Sequence, residues 1–110
     1  QVTASIPIIL FAREPEISSN QMIKVQVDCL SLHWKTKDID LAFLNGKVAL
    51  QGNLNPEILL QEDNVIKNEA DRILKQFKNY DGYVFNLGHG ITPNIDPGKI
   101  KLLTDHIRSR

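Results

Sequence analysis

The chain has 110 residues, with thirteen Lys and Arg against thirteen Asp and Glu, three His and a single Cys. That length allows one small domain or a part of a larger one, and the balanced charge lacks the basic excess that nucleic-acid or anionic-membrane binding calls for. No apolar run approaches the roughly 20 residues that span a bilayer, and one cysteine cannot close an internal disulfide, so the composition reads as that of a cytoplasmic protein with neither a membrane nor a nucleic-acid partner.

The first apolar run, Ile6 to Ala12, predicts a strand that ends at Arg13. The chain begins at Gln1, which is expected to be a processed or trimmed end or a cut from a longer parent, and the start lacks the basic leader of a signal peptide. Ser19 to Val27 reads as a short helix, and Cys29 to Trp34 as a second strand in which Cys29 is expected to be a buried, reduced thiol. A helix over Thr36 to Leu44, closed by Asn45-Gly46, leads to a third strand, Lys47 to Leu50. Asn55-Pro56-Glu57 opens a short turn through Leu60. From Asn64 to Phe77 the residues Ile66, Ala70, Ile73, Leu74 and Phe77 form one stripe of a helix, with Asp63 as its expected N-cap. Tyr83 to Leu87 is the fourth strand. Asp96-Pro97 caps and starts the last helix, which sets Ile100, Leu103 and Ile107 on one face.

The order β-α-β-α-β-α-α-β-α implies an α/β protein with a parallel sheet, and strands apolar on both faces agree with it. Each strand runs into a polar residue at its carboxyl end: Arg13, His33, Asn53 and His89. Collecting residues from several strand ends is a habit of (β/α)8 TIM barrels, so the four βα units read as roughly the carboxyl-terminal half of such a barrel, all of residues 1–110 belonging to one barrel domain. Neither GxGxxG nor GxxxxGK[ST] is present to suggest a phosphate loop. A half barrel alone would leave about eight apolar side chains uncovered, at about 1.5–3 kcal/mol each, comparable to a whole domain's stability. The missing half is therefore expected upstream in a longer parent or on a second chain.

His89 lies in Asn86-Leu87-Gly88-His89-Gly90, at the end of an apolar strand. The two glycines are expected to allow a tight turn with φ > 0 that presents the imidazole at the face where barrel ligands bind. Imidazole can exchange a proton near neutrality, which makes His89 the candidate substrate-binding residue. No residue of the segment is assigned as catalytic. The three histidines are far apart, and none forms HxxxH or HxC spacing with Cys29, so no metal is expected. His33 is read as structural, packed on the Trp34 indole. His106 is placed on the solvated side of the last helix, as are Lys99, Lys101, Arg108 and Arg110, whose charge suits its carboxyl end. Gln51-Gly52-Asn53 is read as a turn that positions its loop.

Val48-Ala49-Leu50-Gln51-Gly52-Asn53-Leu54-Asn55-Pro56 resembles the LQGNLDP segment of uroporphyrinogen decarboxylases, and Phe85-Asn86-Leu87-Gly88-His89-Gly90, followed by Pro93 and Asp96-Pro97, is similar to their NLGHG signature. Pro7-Ile8-Ile9-Leu10-Phe11-Ala12-Arg13 resembles the family's P-I-I-x-F-A-K strand, and Leu32-His33-Trp34 stands where it writes L-D-W. His33, Asn55 and Arg13 thus replace an acid, an Asp and a Lys. The resemblance implies a (β/α)8 homodimer that needs no cofactor or metal and decarboxylates the four acetate side chains of uroporphyrinogen to give coproporphyrinogen in the haem pathway. It assigns His89 to substrate contact. The family's other site residues, an arginine-rich loop, an Asp, a Tyr and a Ser, would lie upstream, so the isolated chain is expected to be inactive. The alternatives are a non-catalytic half barrel that binds a partner half, and a relative of the cobamide-dependent methyltransferases on the same barrel.

Overall fold

A computed structural model describes residues 6–13, 16–36 and 39–110. Four strands, β1 (Ile9–Ala12), β2 (Cys29–Leu32), β3 (Ala49–Gln51) and β4 (Tyr83–Val84), alternate with α1 (Ser19–Lys24), α2 (Leu41–Leu44), a 3-10 turn at Pro56–Leu60, α3 (Asp63–Gln76) and, last, α4 (Pro97–Arg108). Every strand pairs in parallel with the one before it, in the order β1-β2-β3-β4. A doubly wound sheet reverses its order at a switch point, whereas a barrel winds in one direction. The described sheet never reverses. It is an arc of a (β/α)8 barrel, and four βα units are half of that barrel's eight.

Register separates the two faces. Leu10, Leu30, Leu50 and Tyr83 share one row, and Leu30 and Leu50 are fully buried against Ile66, Ala70 and Ile73 of α3 and Leu103 of α4. This is the core. Phe77 follows α3 and stacks on Tyr83 with ring centres 4.3 Å apart, while the buried Tyr80 hydroxyl donates to the carbonyl of Val48.

The opposite row, Phe11, Ser31, Gln51 and Val84, faces the barrel interior. It departs from the expected field of about eight uncovered apolar side chains. Only Ile9, Phe11 and Val84 are large, apolar and exposed there, all on the two edge strands. The middle is small or polar: Cys29 and Ser31 are buried, and Gln51 Nε2 donates to Ser31 Oγ at 3.2 Å. Cys29 is a buried free thiol as expected, and burial raises its pKa.

Several boundaries shift for local reasons. α1 stops at Lys24 because Gln26 adopts φ of +57°; it starts with a capping box between Ser18 and Gln21. The helix expected from Thr36 forms only over Leu41–Leu44. Asp40 Oδ1 accepts from the Phe43 amide at 3.1 Å and is the true cap, while Thr36 closes a turn onto His33; residues 37–38 lie outside the described residues. Gly46 takes φ of +85° just beyond it, as the Asn45-Gly46 closure requires. Asp63 is not the N-cap of α3. Glu62 holds that position without a side-chain bond, and Asp63 instead pairs with Lys99 of α4 at 2.6 Å. Asn55 and Asp96 do cap their helices, each followed by a proline.

Candidate active site

The four strand-end residues converge, and the order of the sheet is the reason. Trp34 and Gly88, on the segments that follow β2 and β4, meet across the mouth through Trp34 N–H donating to the Gly88 carbonyl at 3.2 Å. Gly88 N–H in turn donates to the Leu54 carbonyl at 2.7 Å, where Leu54 and Leu87 form a parallel bridge beyond β3 and β4. The histidine segment is thereby held against both neighbouring strand ends.

Gly88 is glycine for a different reason from the one expected. Neither Gly88 nor Gly90 has a positive φ. A Cβ on Gly88 would lie 2.3 Å from the Trp34 nitrogen and 2.6 Å from its Cα, whereas a Cβ on Gly90 would meet nothing within 4 Å. Close backbone approach, not left-handed geometry, fixes the residue. Gly52 is the one with φ of +125°, and its carbonyl accepts from the Tyr83 hydroxyl. Burial pushes that phenol's pKa up, so it remains a donor throughout the ordinary range. Asn53, itself buried, donates through Nδ2 to the His33 carbonyl at 3.1 Å. Gln51-Gly52-Asn53 thus positions the β2 end.

His33 and His89 stand 5.6 Å apart between ring centres, nearly perpendicular. His33 stacks on Trp34 at 5.6 Å, as the sequence suggests, and also lies 6.4 Å from Phe11, whose ring meets His89 edge-on at 6.0 Å. Lys35 N–H donates to His33 Nδ1 at 3.0 Å. The neutral ring therefore carries its proton on Nε2. His33's pKa is lowered, first by desolvation and then by the positive charge of His89, Lys35 and Arg13. Arg13 is thus within electrostatic reach of His33 although it is exposed.

A lowered imidazole pKa means that the unfolded chain binds this proton more readily. Stability is consequently expected to fall as pH drops below 6.5, and to level off once the folded imidazole has itself titrated. His33→Gln should remove that part of the slope in thermal-unfolding midpoints measured across this range. An unchanged slope would mean that the ring is not held as described.

His89 is exposed and lines an open hollow of about 380 Å³ with Phe11, Ser31, Asn86 and Ile91. A larger cleft of about 1030 Å³ runs beside Trp34, Lys35 and Arg72, but of the four strand-end residues it contains only Asn53. The smaller hollow is the candidate site, because it unites His89 with Phe11 and Ser31 of the inner row of the sheet. An imidazole beside a polar floor can bind a carboxylate or pass it a proton. Phe11 and Ser31 escaped the sequence reading; a strand register would have revealed them, since both share the inner row with Gln51.

His106 is not solvated. It is largely buried between helices, with Nε2 2.8 Å from Asp71 Oδ1 of α3, and Arg110 reaches the same oxygen at 3.4 Å. Lys99 also bridges to α3, whereas Lys101 pairs with Asp105 on its own helix. Among the described residues no three His, Cys, Asp or Glu side chains converge to hold a metal ion, and no helix is long and apolar enough to cross a membrane.

The family model for uroporphyrinogen decarboxylase (URO-D) matches residues 1–110. The chain is similar to the uroporphyrinogen decarboxylase of Vesicomyosocius okutanii, 37% identical over 106 residues that cover 96% of this chain and 31% of that protein. It is likewise similar to those of Chlorobaculum parvum and Chloroherpeton thalassium, at 38% and 40% identity, each match covering 94% of this chain and 30% of the relative. The chain spans about 30% of the length of these curated relatives.

Proposed function

The chain belongs to the uroporphyrinogen decarboxylase family, and from that premise we propose that it is the carboxyl-terminal part of a barrel that decarboxylates the four acetate side chains of uroporphyrinogen to give coproporphyrinogen. The observation that carries this reading is the placement of His89 on the hollow at the strand ends, beside His33 and with Arg13 nearby. The exposed apolar residues of β1 and β4 support completion of the wall by further polypeptide.

Loss of CO2 from a pyrrole acetate needs an electron sink. Protonating the pyrrole ring creates one; the C–C bond then breaks, its electron pair neutralises the ring, CO2 departs, a proton delivered to the methylene makes a methyl group, and the ring gives up the proton it had gained to restore the pyrrole. His89 binds a substrate carboxylate or helps deliver a proton, and Arg13 adds positive charge where carboxylates gather. The same reading includes a cytoplasmic homodimer acting as a carboxy-lyase.

The test is turnover. The whole protein that contains this chain should convert anaerobic uroporphyrinogen to products with seven, six, five and finally four carboxyl groups, resolved by chromatography after oxidation. The 110-residue chain alone should release no CO2. Failure of the whole protein to shorten the acetate series would overturn the reading.

A further inference from the structure

Resting on that reading, we propose that His33 is a second substrate-carboxylate donor, acting through Nε2–H together with His89. The Lys35 amide occupies Nδ1 at 3.0 Å, which commits the neutral ring's proton to Nε2. Among the described residues no protein atom accepts from that nitrogen, and the ring is only partly buried. Phe11 and Trp34 flank the ring, and with the Lys35 amide they fix its plane, so a donor is held in place before any ligand arrives.

Geometry selects the ligand class. Two imidazoles with centres 5.6 Å apart are close enough for one carboxylate group to span them. Among the described residues, the charged groups that bear on the ring are His89 beyond β4, Lys35 on its own turn and Arg13 beyond β1, all basic. Asn53 contributes an amide that is already used on the His33 carbonyl. Among the described residues, no acid is among the neighbours that bear on His33. The position thus favours an anion.

Two substitutions separate the nitrogens. In the whole protein, His33→Asn can keep an acceptor for the Lys35 amide while losing the Nε2 donor; His33→Gln can keep a donor near the Nε2 position. The probe is uroporphyrin, the stable oxidised octacarboxylate, titrated by its absorbance and fluorescence, so binding is read whether or not the protein turns over. His33→Asn should weaken binding about tenfold, in line with loss of one hydrogen bond to a charged group, and should raise KM with little change in kcat. His33→Gln should recover most of the affinity. Unchanged uroporphyrin affinity in His33→Asn would overturn the proposal, as would equal weakening by both variants, which would make the residue a packing element only. Absent turnover with this binding pattern intact would count against decarboxylation and leave the carboxylate donor standing.

Discussion

His89→Asn is expected to lower kcat/KM for uroporphyrinogen by about 10²–10⁴-fold if the ring passes protons, the range usual for a general acid or base. If it only holds a carboxylate, the loss should fall on KM, by about 10–100-fold, with kcat nearly kept. Either result leaves folding untouched, because the side chain is exposed and makes no hydrogen bond among the described residues. Steady-state rates for each acetate removed, with thermal unfolding as a control, distinguish these outcomes. A variant within threefold of wild type on both parameters would remove His89 from the site.

Gly88→Ala should be the most damaging small change in the segment. The added methyl would lie 2.3–2.7 Å from three Trp34 atoms, two of them backbone. Relief requires the chain to withdraw, which breaks the Trp34 N–H to Gly88 carbonyl bond and strains the Gly88 N–H bond to Leu54. Overpacking of this kind costs about 1–3 kcal/mol, and a lost hydrogen bond about 1 more. Withdrawal also carries His89 away from His33, so turnover should fall even in molecules that remain folded. Gly90→Ala, with open space and an ordinary φ, should stay within about 0.5 kcal/mol of wild type. Denaturant unfolding of the pair, beside rates, is the check; equal behaviour of the two variants would contradict the close approach.

What the sequence made legible follows from where the information is local. The stripe Ile66, Ala70, Ile73, Phe77 is a property of one helix, and all four residues are buried. Asp96-Pro97 is a local start signal and formed as read. The polar residues at the strand ends emerged together because a parallel sheet aligns its carboxyl ends. What stayed hidden depends on pairs distant in sequence. Asp71 and His106 are 35 positions apart, and only the packing of α3 on α4 makes them partners. Gly88 meets Trp34 across β3, which a glycine read by itself cannot disclose. The short α2 reflects competition, in which Asp40 caps better than Thr36 and the chain before it folds back on His33. Ser31 sat inside a run that looked uniformly buried and Gln51 was read as the start of a turn, and their shared face depends on register alone.

On the proposed reading, the grip on Gly88 bears on how a large, many-armed substrate is served. Gly88 is staked between Trp34 and Leu54, and the chain is staked again where buried Ile95 precedes the Asp96 cap. His89 rides on the short tether between those stakes. On that reading, a substrate carboxylate would meet this imidazole one residue beyond a backbone point pinned to two other strand ends.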